Sequence, residues 1–522
     1  MIAAAVNKIQ SLVDSGRFFA AEQASKSLVQ QHPQAIQGWM LLMLCAQRLR
    51  HFDLMCVAAL NAVELQPDNL TLKFKYVEAL LFCGEGITAR QQLQNIESNN
   101  QHDAECLSRV AELFTEAGMH HDRLRCAQRA LQLQPGNHYM LANLAAAETA
   151  CGEMGHAESH LNELMSRYPD DHGACYRLST LRKQTPSDNH VSDYERRLAR
   201  VSTHSGDVVP LCYALAKEYE DLGEFERSFQ YLKRGADQRR RQLGYSVDED
   251  VQTIAEIIRQ FDRSLFQATH AGVNDESPIF VMGLPRSGTT LVDRILSSHS
   301  VIQSLGEIND LAYTIVKKVQ VSSDRVLNKL ELIQGSIKLD FAMVGSEYLR
   351  SVQGYGLKKQ LFIDKTPWNF LYLGLIALAL PNAKIIHVRR HPMDSCYALY
   401  KTLFRGGSPY SYDLDDLARY YIGYHQLMQH WRSCLPGRFL ELSYEQLVQS
   451  QQQVTGQLLD YCKVGFEPAC VEFYRNPEPA ATASAAQVRE PIHSRSVSGW
   501  KKYESQLAPL AEALRNAGVA IY

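Results

Sequence analysis

The stretch PIFVMGLPRSGTTLVDRIL, residues 278–296, decides the fold of the second half of this chain. It combines an apolar strand, a glycine loop and a helix, an order that aims backbone N–H groups at a phosphate. The loop has Walker A spacing, but Thr289 stands where the Walker lysine would reach β and γ phosphates, which argues against an ATPase or a GTPase. A positive charge lies inside the loop instead, at Arg286, where it can meet a terminal oxyanion with two hydrogen bonds.

Beyond this loop the sequence alternates short β-rich runs with helical stretches. The runs are QLFID near residue 362, AKIIHVR near 386 and RFLELSY near 441. Such alternation is typical of a parallel sheet flanked by helices. We therefore expect an α/β domain with a P-loop-like start over residues 276–522.

The first half carries a repeat of 34 residues. Each unit holds two apolar stretches of helical period, as in residues 38–49 and 54–65, with a glycine region between them and a proline that closes the second helix. The pattern predicts a stack of helix hairpins and resembles the tetratricopeptide repeat (TPR). The recurring positions are Pro33, Pro67, Gln101, Pro135 and Pro169, and Gly16, Arg50, Gly84, Gly118 and Gly152.

The chain is therefore expected to be of class α + α/β, with a TPR-like α-solenoid over residues 1–245 and a connecting helix and linker over 246–275. A last helix pair is predicted at 213–239, and the connecting helix at 248–269. The concave face of the array can bind a peptide or support oligomers, or it can be a packing platform for the second half. The sequence leaves these alternatives open.

The composition, with 45% hydrophobic residues, 21% charged residues and a net charge of -3, is that of an ordinary soluble protein. Bulk charge gives no reason to expect a nucleic acid or an anionic membrane as partner. The chain starts without a basic leader and apolar core, and it has no uncharged apolar run of about 18 residues. The twelve cysteines lack CxxC pairs and metal-ligand spacing, so we expect a cytoplasmic protein without a metal site.

The sequence PRSGTT after an apolar strand resembles the loop of sulfotransferases that use PAPS (3′-phosphoadenosine 5′-phosphosulfate). The resemblance covers about residues 278–505, and several spacings are similar to those of the protein-tyrosine sulfotransferases. It implies transfer of a sulfuryl group from PAPS to an acceptor hydroxyl, with PAP as product and no metal required. It also implies that the 5′ end of PAPS is held by Arg286, Ser287, Gly288, Thr289 and Thr290.

The same resemblance implies a second phosphate site. In AKIIHVRRHPMDSCYALY, Arg390 has the family position of an arginine that binds the 3′-phosphate, and Tyr444 matches a tyrosine that contacts the nucleotide. Eight residues after that arginine the family has a serine on the same phosphate, where this chain has Ala398. Ser395 and Lys401 are the candidates to replace it.

A hydroxyl with a pKa of about 10 or above must lose its proton as the new bond forms, so a general base is required. Glu307 is our candidate, because it follows Arg286 by 21 residues, the offset found in the tyrosine sulfotransferases; His299 is a weaker rival. Lys365 in FIDKTPWNF is expected to stabilise the oxygen that bridges sulfate and phosphate. Ser498, in a Ser-x-Trp sequence, matches the family serine beside that oxygen.

The acceptor stays open. A TPR groove favours a peptide or protein tyrosine, whereas carbohydrate and small-molecule hydroxyls are alternatives, and the loop at 404–412 is a candidate acceptor-facing segment. A TPR scaffold with a non-catalytic, nucleotide-sensing domain is a second hypothesis. A P-loop kinase is disfavoured by Thr289 and by the lack of an obvious Walker B strand that ends in aspartate. The oligomeric state is also open, with a homodimer as one arrangement that both halves can support.

Overall fold

The first half of the protein is a stack of helix hairpins in a computed structural model that describes residues 2–202, 205–321 and 323–521. Within these residues, five hairpins of 34-residue period come first. Their helices are α1 (Ile2–Asp14), α2 (Phe18–Gln31), α3 (Ile36–Leu49), α4 (Phe52–Leu65), α5 (Leu70–Cys83), α6 (Gly86–Asn99), α7 (Ala104–Glu116), α8 (His120–Leu133), α9 (His138–Cys151) and α10 (Met154–Arg167).

The predicted positions of the inter-helix turns are confirmed. The chain adopts a left-handed backbone conformation once in each of these hairpins, with φ between 59° and 87°. The residues in this conformation are Gly16, Arg50, Gly84, Gly118 and Gly152. A proline, which cannot continue a helix, follows the second helix in four of these five hairpins, and Gln101 takes its place after α6. Alanines such as Ala62, Ala130 and Ala157 are fully buried, as expected where two helices approach closely.

After the regular repeats the array continues with α11 (His172–Leu181), α12 (Val191–Arg200), α13 (Val208–Leu222) and α14 (Phe225–Gln242). The helix pair expected at 213–239 is the hairpin of α13 and α14. The single connecting helix expected at 248–269 is wrong, because α15 (Val247–Gln260) ends before a separate short helix, α16 (Arg263–Gln267). The carboxylate of Asp262 accepts the N–H of Leu265 and thereby starts the new helix.

The second half is built on a sheet of five parallel strands within the described ranges, in the order β2-β3-β1-β4-β5. Four of the strands were predicted from the sequence, and all five residues of the central strand β1 are buried. The short edge strand β2 was not predicted, since three residues carry too little pattern. The strands are β1 (Pro278–Met282), β2 (Ile302–Ser304), β3 (Leu361–Asp364), β4 (Lys384–Arg389) and β5 (Leu440–Ser443).

Helices pack against the sheet, and short 3-10 segments lie between several of them. No helix of the described residues is long and apolar enough to span a membrane. The helices are α17 (Thr289–Ser297), α18 (Asp310–Gln320), α19 (Lys329–Ser336), α20 (Phe341–Val352), α21 (Leu373–Ala379), α22 (Pro392–Tyr400), α23 (Leu414–Cys434), α24 (Tyr444–Gln449), α25 (Gln451–Tyr461) and α26 (Ala508–Asn516).

The repeat array and the second half are packed against each other. Tyr213 and Phe229 of the hairpin α13–α14 belong to the same hydrophobic core as Trp431 and Tyr503. The hydroxyl of Tyr213 also donates to the carbonyl of Tyr400 at 3.2 Å. The last hairpin therefore contributes side chains directly to the core of the second half.

The turns of the earlier hairpins form a second area of contact. Gly84 lies against Ser351, Gly118 lies against the ring of Tyr355, and Gly152 lies against the guanidinium of Arg489. The array thus serves as a packing platform along the edge that carries its turns.

Substitution of Gly84 tests the contact between the turns of the array and the second half. Alanine at Gly84 and alanine at Gly16 both force a side chain into the left-handed region, which costs about 1–2 kcal/mol. At Gly84 the new Cβ would lie 2.8 Å from Cβ of Ser351, whereas at Gly16 nothing lies within 4 Å. We expect Gly84→Ala to lower the free energy of unfolding by a further ~1–3 kcal/mol. Equal midpoints of thermal unfolding for the two variants would contradict this contact.

Candidate functional site

The loop between β1 and α17 has the geometry expected for binding an anion. Arg286 lies in the left-handed region at φ 68°, a conformation that strains a residue with a side chain. Thr289 begins α17, so the free N–H groups of that helix face the loop. Tyr444 packs over Gly288 so closely that a Cβ on the glycine would lie 2.6 Å from the ring.

Two arginines meet at this loop. Arg390 donates from Nη1 to the carbonyl of Arg286 at 3.1 Å, and its guanidinium lies 4.8 Å from the ring centre of Tyr444. Arg286 donates to Ser484 and Gln487. Burial lowers the pKa of the Arg286 guanidinium, and the positive charge of Arg390 lowers it further. Two like charges are therefore held together in a poorly solvated place.

Several donors here have no partner in the part of the chain that the structure describes. They are Nε of Arg286, the hydroxyl of Ser287 and Nε of Arg390, all buried. A buried donor without an acceptor costs about 1–3 kcal/mol, and a ligand that accepts from these donors would remove that cost. A polyanionic nucleotide such as PAPS fits this donor set.

A cavity of about 150 Å³ extends from the loop. Thr289, Thr290, Arg390 and Tyr444, all predicted nucleotide-binding residues, line it. The opposite wall comes from residues 484–499, which we call the closing segment. Three predicted catalytic residues lie outside the lining of this cavity: Glu307, Lys365 and Ser498.

Glu307 and Lys365 are nevertheless brought together. The pairing of β2 with β3 continues beyond the strands, because Lys365 donates its backbone N–H to the carbonyl of Gly306 at 2.9 Å. This register places Nζ of Lys365 2.5 Å from a carboxylate oxygen of Glu307. Lys365 is buried, while 38% of the Glu307 side chain is exposed. The candidate base is thus reachable, and the candidate cation beside it is shielded from water.

Asp293 is an acid beside this pair that sequence reasoning missed. It lies in α17, is buried, and one of its carboxylate oxygens has no partner among the described residues. Burial raises the pKa of Asp293, whereas the charge of Lys365 opposes the rise. The sequence feature that could have revealed it is an aspartate among the apolar residues of the helix that follows the phosphate loop.

Asp394 of α22 is a second residue that the sequence did not reveal. Its carboxylate accepts the backbone N–H groups of Ser498 at 2.7 Å and Trp500 at 3.1 Å, and so ties the end of the closing segment to α22. Ser498 has φ 56° and is exposed. The structure therefore holds its backbone near the cavity without bringing its hydroxyl to Glu307 and Lys365.

The remaining candidates have structural partners. His299 is buried and donates to the carbonyl of Gly465 at 2.9 Å. Its ring therefore connects the end of α17 to the segment around residue 465. In the loop at 404–412, Gly407 lies against the ring of Trp368, three residues after Lys365. This loop therefore contacts the segment that follows Lys365.

The expectation that no Walker B-like strand ends in aspartate is wrong, because β3 ends in Asp364. Its carboxylate is buried and accepts from the hydroxyls of Tyr348 and Thr366 and from the amide of Asn369. Those protein donors face the oxygens that a metal would need. Burial raises the pKa of Asp364 to about 7, against the lowering effect of these hydrogen bonds.

One group of possible metal ligands does occur among the residues that the structure describes. Ligand atoms of Glu148, Glu153 and His156 lie within 4.8 Å of one another. They belong to the fifth hairpin of the array, and Glu148 already accepts from His160 at 2.9 Å. The group is separate from the loop and from the pair of Glu307 and Lys365.

Comparison with known proteins assigns the second half to a family. Residues 278–468 match the sequence model of the sulfotransferase family. A protein of Caenorhabditis briggsae named putative protein-tyrosine sulfotransferase is 23% identical over 236 residues, which are 44% of this chain and 81% of that protein. The second half therefore carries a domain of the sulfotransferase family.

Two further similarities extend to the repeats. An uncharacterized protein of Aquifex aeolicus is 26% identical over 453 residues, which cover 85% of this chain but only 59% of that protein. This chain thus spans less than two thirds of the length of that relative. Among solved structures, a tetratricopeptide repeat protein from Parabacteroides merdae is 16% identical over 47% of this chain and 94% of its own, with a TM-score of 0.33.

Titration of Asp364 makes the stability of this site depend on pH. Its folded-state pKa of about 7 lies above the usual value for aspartate, about 3.9, so its protonation stabilises the fold below pH ~4 and that contribution is lost as the pH rises through 7. Asparagine does not titrate. The unfolding free energy of Asp364→Asn minus that of the wild type should therefore rise by about 1–4 kcal/mol between pH 4 and pH 8. Chemical denaturation measures this, with the exposed Asp460→Asn as control, and a pH-independent difference would refute it.

Proposed function

We propose that the protein is a PAPS-dependent sulfotransferase that transfers a sulfuryl group in line to an acceptor hydroxyl. The observation that carries the proposal is the contact of Glu307 with Lys365 at the sheet edge that also holds the phosphate loop with its unpaired buried donors. A base and a cation next to an anion-binding loop are the groups that sulfuryl transfer requires.

The loop and its surroundings would hold the donor. Its N–H groups and the guanidinium of Arg286 suit the 5′ phosphosulfate, while Arg390 and the ring of Tyr444 suit the nucleotide and its 3′-phosphate. Arg286 now donates to Ser484 and Gln487, so it has to exchange these partners for oxygens of the donor. The closing segment would therefore respond to binding.

In the reaction, Glu307 accepts the proton of the acceptor hydroxyl as the bond from its oxygen to sulfur forms. The bond from sulfur to the bridging oxygen breaks, and that oxygen leaves with the electron pair as part of PAP. Lys365 donates a hydrogen bond to this oxygen, because its buried ammonium stabilises the developing charge at close range. Ser498 is proposed to donate a second hydrogen bond to this oxygen once the closing segment moves.

We prefer a peptide or protein tyrosine as acceptor. The backbone N–H of Leu403, beside the loop at 404–412, donates to the hydroxyl of Tyr176 in the repeat array at 3.1 Å. Both halves therefore border the path by which an acceptor would reach the site. Burial lowers the pKa of Arg123, and the charge of Arg405 lowers it further. This concentration of positive charge favours an acceptor that carries negative charge near its hydroxyl.

The cytoplasm is the proposed compartment. The twelve cysteines, all within the described residues, are free of disulfides. Free thiols in buried positions are typical of a reducing compartment.

Calorimetric titration with PAP tests the donor site. We expect micromolar binding to the wild type and a loss of about 10- to 100-fold with Arg286→Ala, since a charged hydrogen bond contributes about 1.5–3 kcal/mol. Arg475→Ala, which removes an arginine paired with Glu472 outside the cavity, should bind PAP as the wild type does. Binding of Mg-ATP in place of PAP would favour a kinase, and binding of neither would favour a scaffold.

Turnover tests the catalytic pair. With PAPS and a panel of tyrosine peptides, glycans and phenols, we expect mass spectrometry to detect sulfonated product from the wild type. Glu307→Gln should lower kcat by about 10²- to 10⁴-fold, as for loss of a general base. Lys365→Met should act in the same direction, while PAP affinity changes little in either variant. The exposed Glu512→Gln is the matched control, and full activity of Glu307→Gln would contradict the assigned base.

A further inference from the structure

The wall of the cavity formed by α22 has an alanine at position 398, where the resemblance to sulfotransferases implies a serine. Asp394, Tyr397, Ala398 and Lys401 are spaced so that they share one face of this helix, and all four line the cavity. Arg390 lies directly before the helix and lines the same cavity. The α22 wall therefore has a cation at each end, with Asp394, Tyr397 and the methyl group of Ala398 between them.

Ser395 does not fill the place of the missing serine. It is buried, its hydroxyl lies 3.4 Å from the carbonyl of Arg390, and it is absent from the cavity lining. A hydroxyl that points into the backbone of its own helix start is not available to a ligand. Of the two candidates named from the sequence, only Lys401 faces the cavity.

The ammonium of Lys401 is held at the cavity by the repeat array. Glu220, near the end of α13, accepts from Nζ of Lys401 with both carboxylate oxygens, at 2.9 and 3.0 Å. The ammonium also lies 4.8 Å from the ring centre of Tyr397, whose hydroxyl donates to Glu220 at 3.2 Å. These contacts fix a long, flexible side chain in one position.

This arrangement leaves the lysine able to bind a ligand. An ammonium has three N–H donors, and two directed at Glu220 leave a third for another acceptor. About a third of the side chain, 35%, is exposed, and the exposed part borders the cavity. Lys401 and Arg390 thus provide two cationic donors on the same wall of the cavity.

We infer that Lys401 binds the 3′-phosphate of the nucleotide in place of the missing serine, held in position by Glu220 of the last helix hairpin. The inference rests on the proposed function, because it takes PAPS and PAP as the nucleotides. It assigns part of donor recognition to the helical array, since the carboxylate that orients the lysine comes from α13.

Nucleotides with and without the 3′-phosphate distinguish this role from a structural one. Calorimetry on the full chain would compare PAP with 5′-AMP. We expect Lys401→Met to weaken PAP binding by about 10- to 100-fold, the effect of losing one charged hydrogen bond, and to change AMP binding by less than about twofold. The double variant Ala398→Ser with Lys401→Met should recover part of the PAP affinity, because the serine hydroxyl can donate to the same phosphate.

Lys463→Met is the matched control, since this lysine pairs with Glu276 at 2.9 Å away from the cavity. It should leave the ratio of PAP to AMP affinity unchanged. If Lys401→Met left the ratio of PAP to AMP affinity unchanged, for example by an equal loss for both nucleotides, the inference would be overturned while the proposed function stayed intact. If the wild type bound AMP as tightly as PAP, no 3′-phosphate site would exist; failure of the wild type to bind PAP would instead overturn the proposed function itself.

Discussion

The proximity of two half-buried arginines, Arg286 and Arg390, constrains the rest of the second half. Strands β1 and β4 are neighbours in the sheet, with Met282 paired to His387, so the residues that follow them emerge at the same edge. Like charges repel strongly where water is scarce, and each guanidinium keeps a buried Nε without a partner among the described residues. Arg390 donates to the carbonyls of Arg286 in the loop and Ser496 in the closing segment, and these hydrogen bonds offset part of the repulsion. An anion between the two guanidiniums would offset more of it.

The closing segment also depends on the helical array. Shortly before this segment the N–H of Ala480 donates to the carbonyl of Ala150 at 2.8 Å, and within it Arg489 donates to the same carbonyl. That carbonyl lies at the turn of the fifth hairpin. Any movement of the closing segment away from Arg286 therefore disturbs a contact with the repeats. The array thus contacts the second half around the cavity through Ala150, Tyr176 and Glu220.

Buried charge is also concentrated around Lys365. Its ammonium contacts Glu307 and interacts with Asp293, so one buried cation is shared by two acids on different elements. This sharing explains how a lysine with 1% exposure can be maintained at the sheet edge.

The sequence by itself determined the features that have a local pattern. The period of 34 residues located the hairpin turns and four apolar runs located their strands, while the loop at 283–290 predicts an anion site. The offset from Arg286 to Glu307 also found a residue that contacts Lys365, although its catalytic role stays a prediction. Only the tertiary structure decided the three-residue strand β2, the break of the connecting helix, and the positions of Asp293, Asp394 and Glu220. Their environments arise from contacts between distant segments, as where Asp394 accepts from Ser498, and such contacts leave no period or spacing in the chain.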